Sequence, residues 1–462
     1  MNPMSTLADA ATVLGAPLIG DGSLAFCRVV TDSRTIRPGD LFVALSGERY
    51  DGHDFVTAAL AAGAVAAVVE PGRQWPPGTS RIEVGDPLAA LGRLAADWRA
   101  RCQPVVVAIT GTNGKTSVKE MVGAILRRHA GAESVLATEG NLNNHIGVPL
   151  MLLRLEPRHR YAVLEMGMNH FGEIAYLTGL ARPQVALVNN AGAGHLEYLG
   201  SVAGVAKAKG EIFSGLAAEG VAVINADDEF ADYWRTLALG RQVIDFALDQ
   251  RAAVGARAID GDALTTRFTL TTPEGEAAVE LRVPGRHNVA NALAAAAVGL
   301  ALGLPTEAIA AGLSDYAGVK GRLQPKRAAS GALLIDDTYN ANPNSMRAAI
   351  DVLAELTGPR WLVLGDMGEI GGEVEARHAE IGAYARERGI ERLFTLGKQM
   401  SHAAAAFGEG ASIHASREAL LDALAAEPVP AASILVKGSR FMQMERVVAG
   451  LIDPAGCAGT KV

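Results

Sequence analysis

Cysteine is scarce in this chain. Cys27, Cys102 and Cys457 are the only three in 462 positions; they stand far apart and form no CxxC pair. That excludes a disulfide framework and a cysteine-based zinc site, and it predicts a reducing, cytoplasmic setting. An excess of basic charge is missing too. With 42 Lys and Arg against 50 Asp and Glu the formal net charge is −8, which argues against broad nucleic-acid binding but leaves local phosphate sites open. Long apolar runs are lacking: the longest, Ala292 to Leu304, falls short of the roughly 18 residues that a membrane span needs. The N-terminal MNPMSTLADAATVLG has no basic stretch leading into an apolar core, so a signal peptide is not expected. Internal repeats and low-complexity segments are also absent.

What is present reads as a folded α/β protein. Apolar residues make up 49% and charged residues 20%, normal for a globular chain. The length calls for about three domains of roughly 150 residues. Short strands and turn-rich loops fill the first part, then an Ala/Leu-rich helix from about Pro87 to Arg101 leads to Pro104. From there strands and helices alternate: VVVAIT, YAVLEMG, VALVNN and VAVINADD each end in polar residues. This rhythm predicts a parallel, doubly wound sheet. An alanine-rich helix is expected from about Asn288 to Leu302. After GVKGRLQP (318–325) the alternation restarts with ALLIDD, RWLVLGDM, RLFTLG and SILVKGS. The predicted domains are 1–100, 101–318 and 319–462.

Between VVVAIT and the helical SVKEMVGAIL lies Gly111-Thr112-Asn113-Gly114-Lys115-Thr116-Ser117. A glycine-rich turn entering a helix aims backbone N–H groups inward at the positive end of the helix dipole, which makes a phosphate cradle. Lys115 can then reach the β/γ-phosphates, and the Thr116 hydroxyl can ligate Mg²⁺. The common form of this loop has glycine where this chain has Ile109. The plain alternative is a strand–helix turn with a solvated lysine, but the flanking strand and helix stand where nucleotide binding requires them.

A nucleotide at the end of a parallel sheet draws further ligands from the carboxyl ends of neighbouring strands. Glu165 ends YAVLE, and His195 lies in the loop AGAGHLE after VALVNN; together they fit a second cation. Lys207 and Lys209 sit on a probable helix and read as a solvated basic face. Asn288 and Asn291 share one face at a helix start, where Asn288 caps or the two amides read an adenine edge. In IDDTYNANPNSM, Asp336 and Asp337 end a strand, followed by Tyr339, Asn340 and Asn342; Pro343 suits a first helical turn with Asn342 as its cap. Asp366 and Glu369, and Lys437, Ser439 and Arg440, occupy two further strand-end turns. A second ligand-binding edge is therefore expected to face the first across a cleft.

Taken together, TDSR (31–34), GERYDGHDF (47–55), TGTNGKTS (110–117), EGNLNNHIGVP (139–149), EMGMNHFGEI (165–174), NNAGAGHLEYLGS (189–201) and AKAKGEIF (206–213) resemble the Mur ligases of peptidoglycan synthesis. NADD (225–228), GRHNVANALAA (285–295), GRLQ (321–324), DDTYNANPNSM (336–346), LGDMGEIG (364–371) and VKGSRFMQME (437–445) complete a resemblance that covers nearly the whole chain. The shortened phosphate loop is the form that family uses. The resemblance implies a small N-terminal α/β domain for the UDP end of the substrate, a central P-loop ATPase domain and a C-terminal Rossmann-like domain that binds the incoming amine. It implies ATP and Mg²⁺, two ions, as cofactors, and a cytoplasmic monomer. ATP would phosphorylate a free carboxylate to an acyl phosphate, which an amine attacks with loss of phosphate. The chemical need is plain, since a carboxylate is a poor electrophile until its charge is removed.

Residue by residue, the resemblance assigns Gly111 to Ser117 to the ATP phosphates, with Lys115 and Thr116 at the first Mg²⁺. Glu165 and His195 serve the second ion, with Lys209, at the position often carbamylated in this family, as a further ligand once modified. Lys115, Glu165, His195 and Lys209 are thus the expected catalytic set. Asn288 and Asn291 resemble adenine readers; Asp337 and Tyr339 resemble nucleotide contacts, with Arg322 near the hinge. Ser33 and Arg34 look like uridine-diphosphate contacts, Asn141 and Asn144 like part of the muropeptide site, and Asp366 and Glu369 like the dipeptide end. No DNPR, the mark of the diaminopimelate-adding members, occurs, and YNANPNSM resembles the members that add a dipeptide. UDP-N-acetylmuramoyl-tripeptide and D-alanyl-D-alanine are therefore the expected substrates. The alternatives are a relative that adds a single amino acid and a silent nucleotide-binding scaffold. A guanine-reading switch would want NKxD, and Asn225-Ala226-Asp227-Asp228 lacks the lysine.

Overall fold

The run Val105–Thr110 (β1) is apolar without alternation because both of its faces are covered. Val106 and Ala108 pack with Leu91, Leu94 and Leu177 on one side. Val107 and Ile109 pack with Val118, Met121 and Leu293 on the other. This computed structural model describes residues 3–453 apart from 48, 263 and 428, so Cys457 lies outside the described residues.

Around β1 forms a six-stranded parallel sheet. Its other strands are Val135–Ala137 (β2), Tyr161–Glu165 (β3), Val185–Val188 (β4), Val221–Asn225 (β5) and Gln242–Phe246 (β6). Their spatial order is β6-β5-β4-β1-β3-β2, every pairing parallel. This is the doubly wound sheet the alternation predicts. The chain reverses its direction of travel across the sheet at β1, so the loops after β1, β3 and β4 converge at one edge.

Helix α1 (Lys115–Ala130) starts at Gly114, whose φ of +79° ends the turn, and no side chain caps it. Its first-turn N–H groups stay free for a ligand. Helix α2 (Val202–Gly210) begins at Ser201, whose hydroxyl accepts from Gly204 N. The alanine-rich helix α3 runs Arg286–Ala301, two residues earlier at its start than the periodicity indicates. Seven consecutive residues of α3, Ala292 to Val298, are fully buried; the small side chains let it lie close against α1.

The C-terminal sheet also has six strands: Gln324–Arg327 (β7), Leu333–Asp337 (β8), Arg360–Gly365 (β9), Arg392–Leu396 (β10), Ala411–His414 (β11) and Ser433–Lys437 (β12). The order is β7-β8-β12-β9-β10-β11, parallel except for β7. Helix α4 (Pro343–Ala354) has Pro343 in its first turn and a capping box between Asn342 and Ser345. Helix α5 (Val374–Glu387) follows β9.

Before these, Arg28–Val30, Asp40–Val43, Ala66–Val69 and Arg81–Glu83 form parallel pairs in a five-stranded sheet, closed by an antiparallel Leu18–Ile19. The helix Pro87–Cys102, capped by Asp86, connects it to β1. One sheet goes beyond the sequence reading. Gly255–Gly261, Thr266–Thr272 and Gly275–Leu281 make a three-stranded antiparallel layer. Only one face of it is covered, by Phe268, Leu270, Val279 and Leu281, so its alternation with Arg, Glu and Thr gives a weaker signal than an apolar run. Among the described residues no helix is long and apolar enough to cross a membrane.

Candidate active site

The turn after β1 is closely packed. A Cβ on Gly114 would lie 2.2 Å from Asn291 Oδ1, and one on Gly111 2.9 Å from Asn189 Cβ. The backbone is held by amides from β4 and α3. Asn113 N–H donates to Asn190 Oδ1 at 2.8 Å, and Asn189 Nδ2 donates to Asn113 O at 3.0 Å and Asn291 Oδ1 at 3.1 Å. Asn291 Nδ2 in turn donates to Asn288 Oδ1 at 3.3 Å, and Asn288 Nδ2 to Pro284 O at 2.8 Å. Asn288 and Asn291 are therefore a buried pair beneath the loop, and Asn288 makes no side-chain cap. Thr112 Oγ1 accepts from Gly192 N at 3.0 Å.

Lys115 folds back over the turn, donating to Gly111 O at 2.7 Å and Thr112 O at 3.2 Å. Burial pushes its ammonium pKa down, Glu165 opposes that shift and Arg322 adds to it. Thr116 Oγ1 donates to Glu165 Oε2 at 2.8 Å, and Asn143 Nδ2 donates to Glu165 Oε1, also at 2.8 Å. Glu165 is 3% exposed, at the end of β3. Ser117 is buried one residue further into α1.

Lys209 is 1% exposed. Burial first, then the Lys115 ammonium, holds its pKa well below the ordinary lysine value, with Glu165 pulling the other way. The basic face expected of α2 is thus split: Lys209 is buried, while Lys207 lies over the Phe171 ring at 5.6 Å.

The C-terminal edge closes over this centre. Arg322 Nη2 donates to Thr116 Oγ1 at 2.9 Å, and its guanidinium stacks 4.3 Å from the Tyr339 ring centroid. Asn342 does cap α4, and it also donates to Asn113 Oδ1 at 2.7 Å. Asp337 accepts from Leu323 N at 3.1 Å and from Lys437 Nζ at 2.6 Å, while Lys437 also bonds Asn340 O at 2.9 Å. Asp336 holds Lys326 and Thr338. Ser439 joins Gly368 N to Ala341 O, and Arg440 pairs with Glu445.

Several candidate residues are placed differently from this cluster. His195, in left-handed conformation at φ +56°, has Nδ1 3.3 Å from Glu369 Oε2, which joins two residues assigned to separate sites. Asp366 turns to Met400 N at 2.8 Å, holding the start of a helix. Asn144 Oδ1 accepts from Gly147 N and Ile146 N, and Asn141 O from Asn143 N. These two asparagines shape the loop that brings Asn143 to Glu165. Ser33 and Arg34 form a separate turn, with the exposed Arg34 paired to Asp32 at 2.7 Å and Asp32 lowered to about 2 by that guanidinium. Sequence reasoning missed Asn143, Asn189 and Asn190 as site residues. The last two end VALVNN, and that position at a strand end was the available signal.

Oxygen donors suited to Mg²⁺ come together at Thr116 and Glu165. Among the described residues no group of three or more His, Cys, Asp and Glu side chains is poised for a metal. The amine of Lys209 fits a cation site only after conversion to an anion.

The chain matches three family models in sequence: the Mur ligase family catalytic domain over 27–99, the Mur ligase middle domain over 109–299, and the Mur ligase glutamate ligase domain over 321–440. It is 47% identical over 456 residues to the UDP-N-acetylmuramoyl-tripeptide–D-alanyl-D-alanine ligase of Escherichia coli K12, covering 98% of this chain and 99% of that one. In structure it resembles MurF from Acinetobacter baumannii with a TM-score of 0.92 at 38% identity, covering 98% and 99% of the two chains. MurF ligase from Thermotoga maritima in complex with ADP aligns with a TM-score of 0.83 at 26% identity, covering 94% and 98%. The chain belongs to the Mur ligase family.

Proposed function

We propose that this chain is an ATP-dependent amide-bond ligase that joins D-alanyl-D-alanine to UDP-N-acetylmuramoyl-tripeptide, a cytoplasmic step of peptidoglycan synthesis. The products are UDP-N-acetylmuramoyl-pentapeptide, ADP and phosphate. The observation that carries the reading is the bridge Glu165–Thr116–Arg322, in which a strand end, the phosphate loop and the C-terminal domain meet at one hydroxyl. The nearly full-length likeness to dipeptide-adding ligases supports the choice of substrates.

In this reading residues 1–100 hold the UDP end, 101–318 the ATP, and 319–462 the incoming dipeptide. The turn Gly111 to Ser117 cradles the phosphates, with the first-turn N–H groups of α1 and the Lys115 ammonium as donors. Asn288 and Asn291 line the adenine side, with Asp337 and Tyr339 reaching from the other domain. Thr116 and Glu165 would hold Mg²⁺, with His195 and a carbamylated Lys209 around a second ion. Bound there, the ions neutralise phosphate charge and align the transferring group. Arg322 adds a cation against the same phosphates. Ser33 and Arg34 meet the uridine diphosphate, Asn141 and Asn144 the muropeptide, and Asp366 and Glu369 border the dipeptide. Contact between the two edges keeps water from the acyl phosphate, whose hydrolysis would waste ATP.

The test is phosphate release from ATP and Mg²⁺ with UDP-N-acetylmuramoyl-tripeptide, with and without D-alanyl-D-alanine. Release that needs both, with a UDP-pentapeptide product, supports the reading. Release with a single free amino acid in place of the dipeptide would make it a different ligase of the family, and no release with either would favour a scaffold.

A further inference from the structure

The reaction as described leaves His378 unused, yet its ring is fully buried on α5. Its Nε2 accepts from Met367 N at 3.0 Å, and its Nδ1 donates to Val374 O at 2.7 Å. These two bonds fix the tautomer: the proton is on Nδ1 and Nε2 is bare. One ring therefore ties together both ends of the loop between β9 and α5.

That loop is conformationally demanding. Glu369 and Glu373 both take left-handed backbone, at φ +58° and +60°, a conformation non-glycine residues hold only when the surroundings enforce it. Gly371 sits so close to the central domain that a Cβ there would be 2.8 Å from Leu196 Cβ. Between these points Glu369 faces His195 at 3.3 Å. A loop of this kind needs an external brace, and the described contacts include Ser439 at Gly368 N, Arg377 Nε at Gly372 O and the His378 ring at the ends.

We propose that His378 is a positioning residue of this ligase: it braces the Met367–Glu373 loop from both ends and thereby delivers Glu369 to His195 across the domain interface. The kinetic side of this rests on the dipeptide-ligase reading; the structural side does not. The groups facing the ring are Asp366 and the Val374 carbonyl, which favour its charged form, and His402, which disfavours it. Burial outweighs them and keeps the ring neutral, as acceptance from Met367 N requires.

Two readouts test the proposal. The first is amide hydrogen exchange across residues 367–374 in wild type and His378→Leu. The expected result is loss of protection confined to that loop; unchanged protection overturns the brace, whatever the reaction proves to be. The second is a kinetic cycle with His378→Leu, Glu369→Gln and the double variant. His378→Leu is expected to lose about tenfold or more in kcat/KM for the dipeptide, with ADP affinity unchanged within about twofold. On a Glu369→Gln background the same change should cost less than about twofold, because the two act as one unit. Additive losses overturn the delivery of Glu369. Glutamine carries both a donor and an acceptor, so His378→Gln should recover most of the activity, whereas the shorter His378→Asn cannot span both partners. If leucine prevents folding, that pair decides, and equal activity of the two overturns the proposal.

Discussion

Thr116 Oγ1 on the phosphate loop lies 2.9 Å from Arg322 Nη2, a residue 206 positions further along the chain. The same oxygen donates to Glu165 at 2.8 Å. One hydroxyl thus links the nucleotide edge, the carboxylate at the neighbouring strand end and the C-terminal cation in a single relay of hydrogen bonds.

Removing that cation should slow turnover without unfolding the protein. Arg322→Ala is expected to lower kcat by about 10²–10³-fold, the usual effect of losing a donor aimed at developing charge. Lysine at 322 should rescue little, because it cannot stack flat on Tyr339 while also reaching Thr116. Steady-state phosphate release, with circular dichroism as the check on folding, measures both; a lysine variant with near wild-type kcat would refute the need to stack on Tyr339 and reach Thr116 together.

The Asn113–Asn342 contact separates two functions of one side chain. Serine at 342 still caps α4, so Asn342→Ser should change stability by no more than about 0.5 kcal/mol. It cannot span to Asn113, so the contact between the two edges weakens and KM for ATP rises. Alanine removes the cap as well and should cost about 1 kcal/mol in addition. Thermal melts and ATP titrations of both variants check this, and equal behaviour of serine and alanine would refute the division.

Gly114 is the position in the loop where any side chain is excluded twice over. Its φ of +79° disfavours other residues, and its Cβ site is occupied by Asn291 Oδ1 at 2.2 Å. Gly114→Ala should lose about 1–3 kcal/mol of stability, and its ADP affinity should fall by more than tenfold. Calorimetric ADP binding decides it: unchanged affinity would show that the loop tolerates rearrangement.

The contrast between what was legible and what was not has a physical basis. Lys115, Thr116 and Glu165 could be placed together because β1 and β3 are uninterrupted apolar runs whose ends mark one sheet edge. Asn143 was obscured because it stands between Asn141 and Asn144, and only the fold says which amide faces Glu165. The partner of His195 was illegible for another reason: Glu369 belongs to a different domain, and no local pattern encodes how two sheets meet. The antiparallel layer at 255–281 escaped because its half-exposed strands carry few apolar residues.

Lys209 links stability and chemistry through pH. Its folded pKa lies well below the ordinary 10.5 that it regains on unfolding, so between those values the unfolded chain binds the extra proton. Stability therefore rises with pH across that window and is lowest beneath it. Lys209→Met, which fills similar space without a charge to bury, should melt higher than wild type below that window, and its Tm should lose the rise as pH climbs toward the ordinary lysine value. It should also be inactive. A buried amine held neutral is the form that reacts with CO2, so ¹³C-bicarbonate should label wild type and leave Lys209→Met unlabelled. Parallel Tm curves for the two proteins would mean that Lys209 keeps its proton in the fold, and the route from this amine to an anionic metal ligand would then be closed.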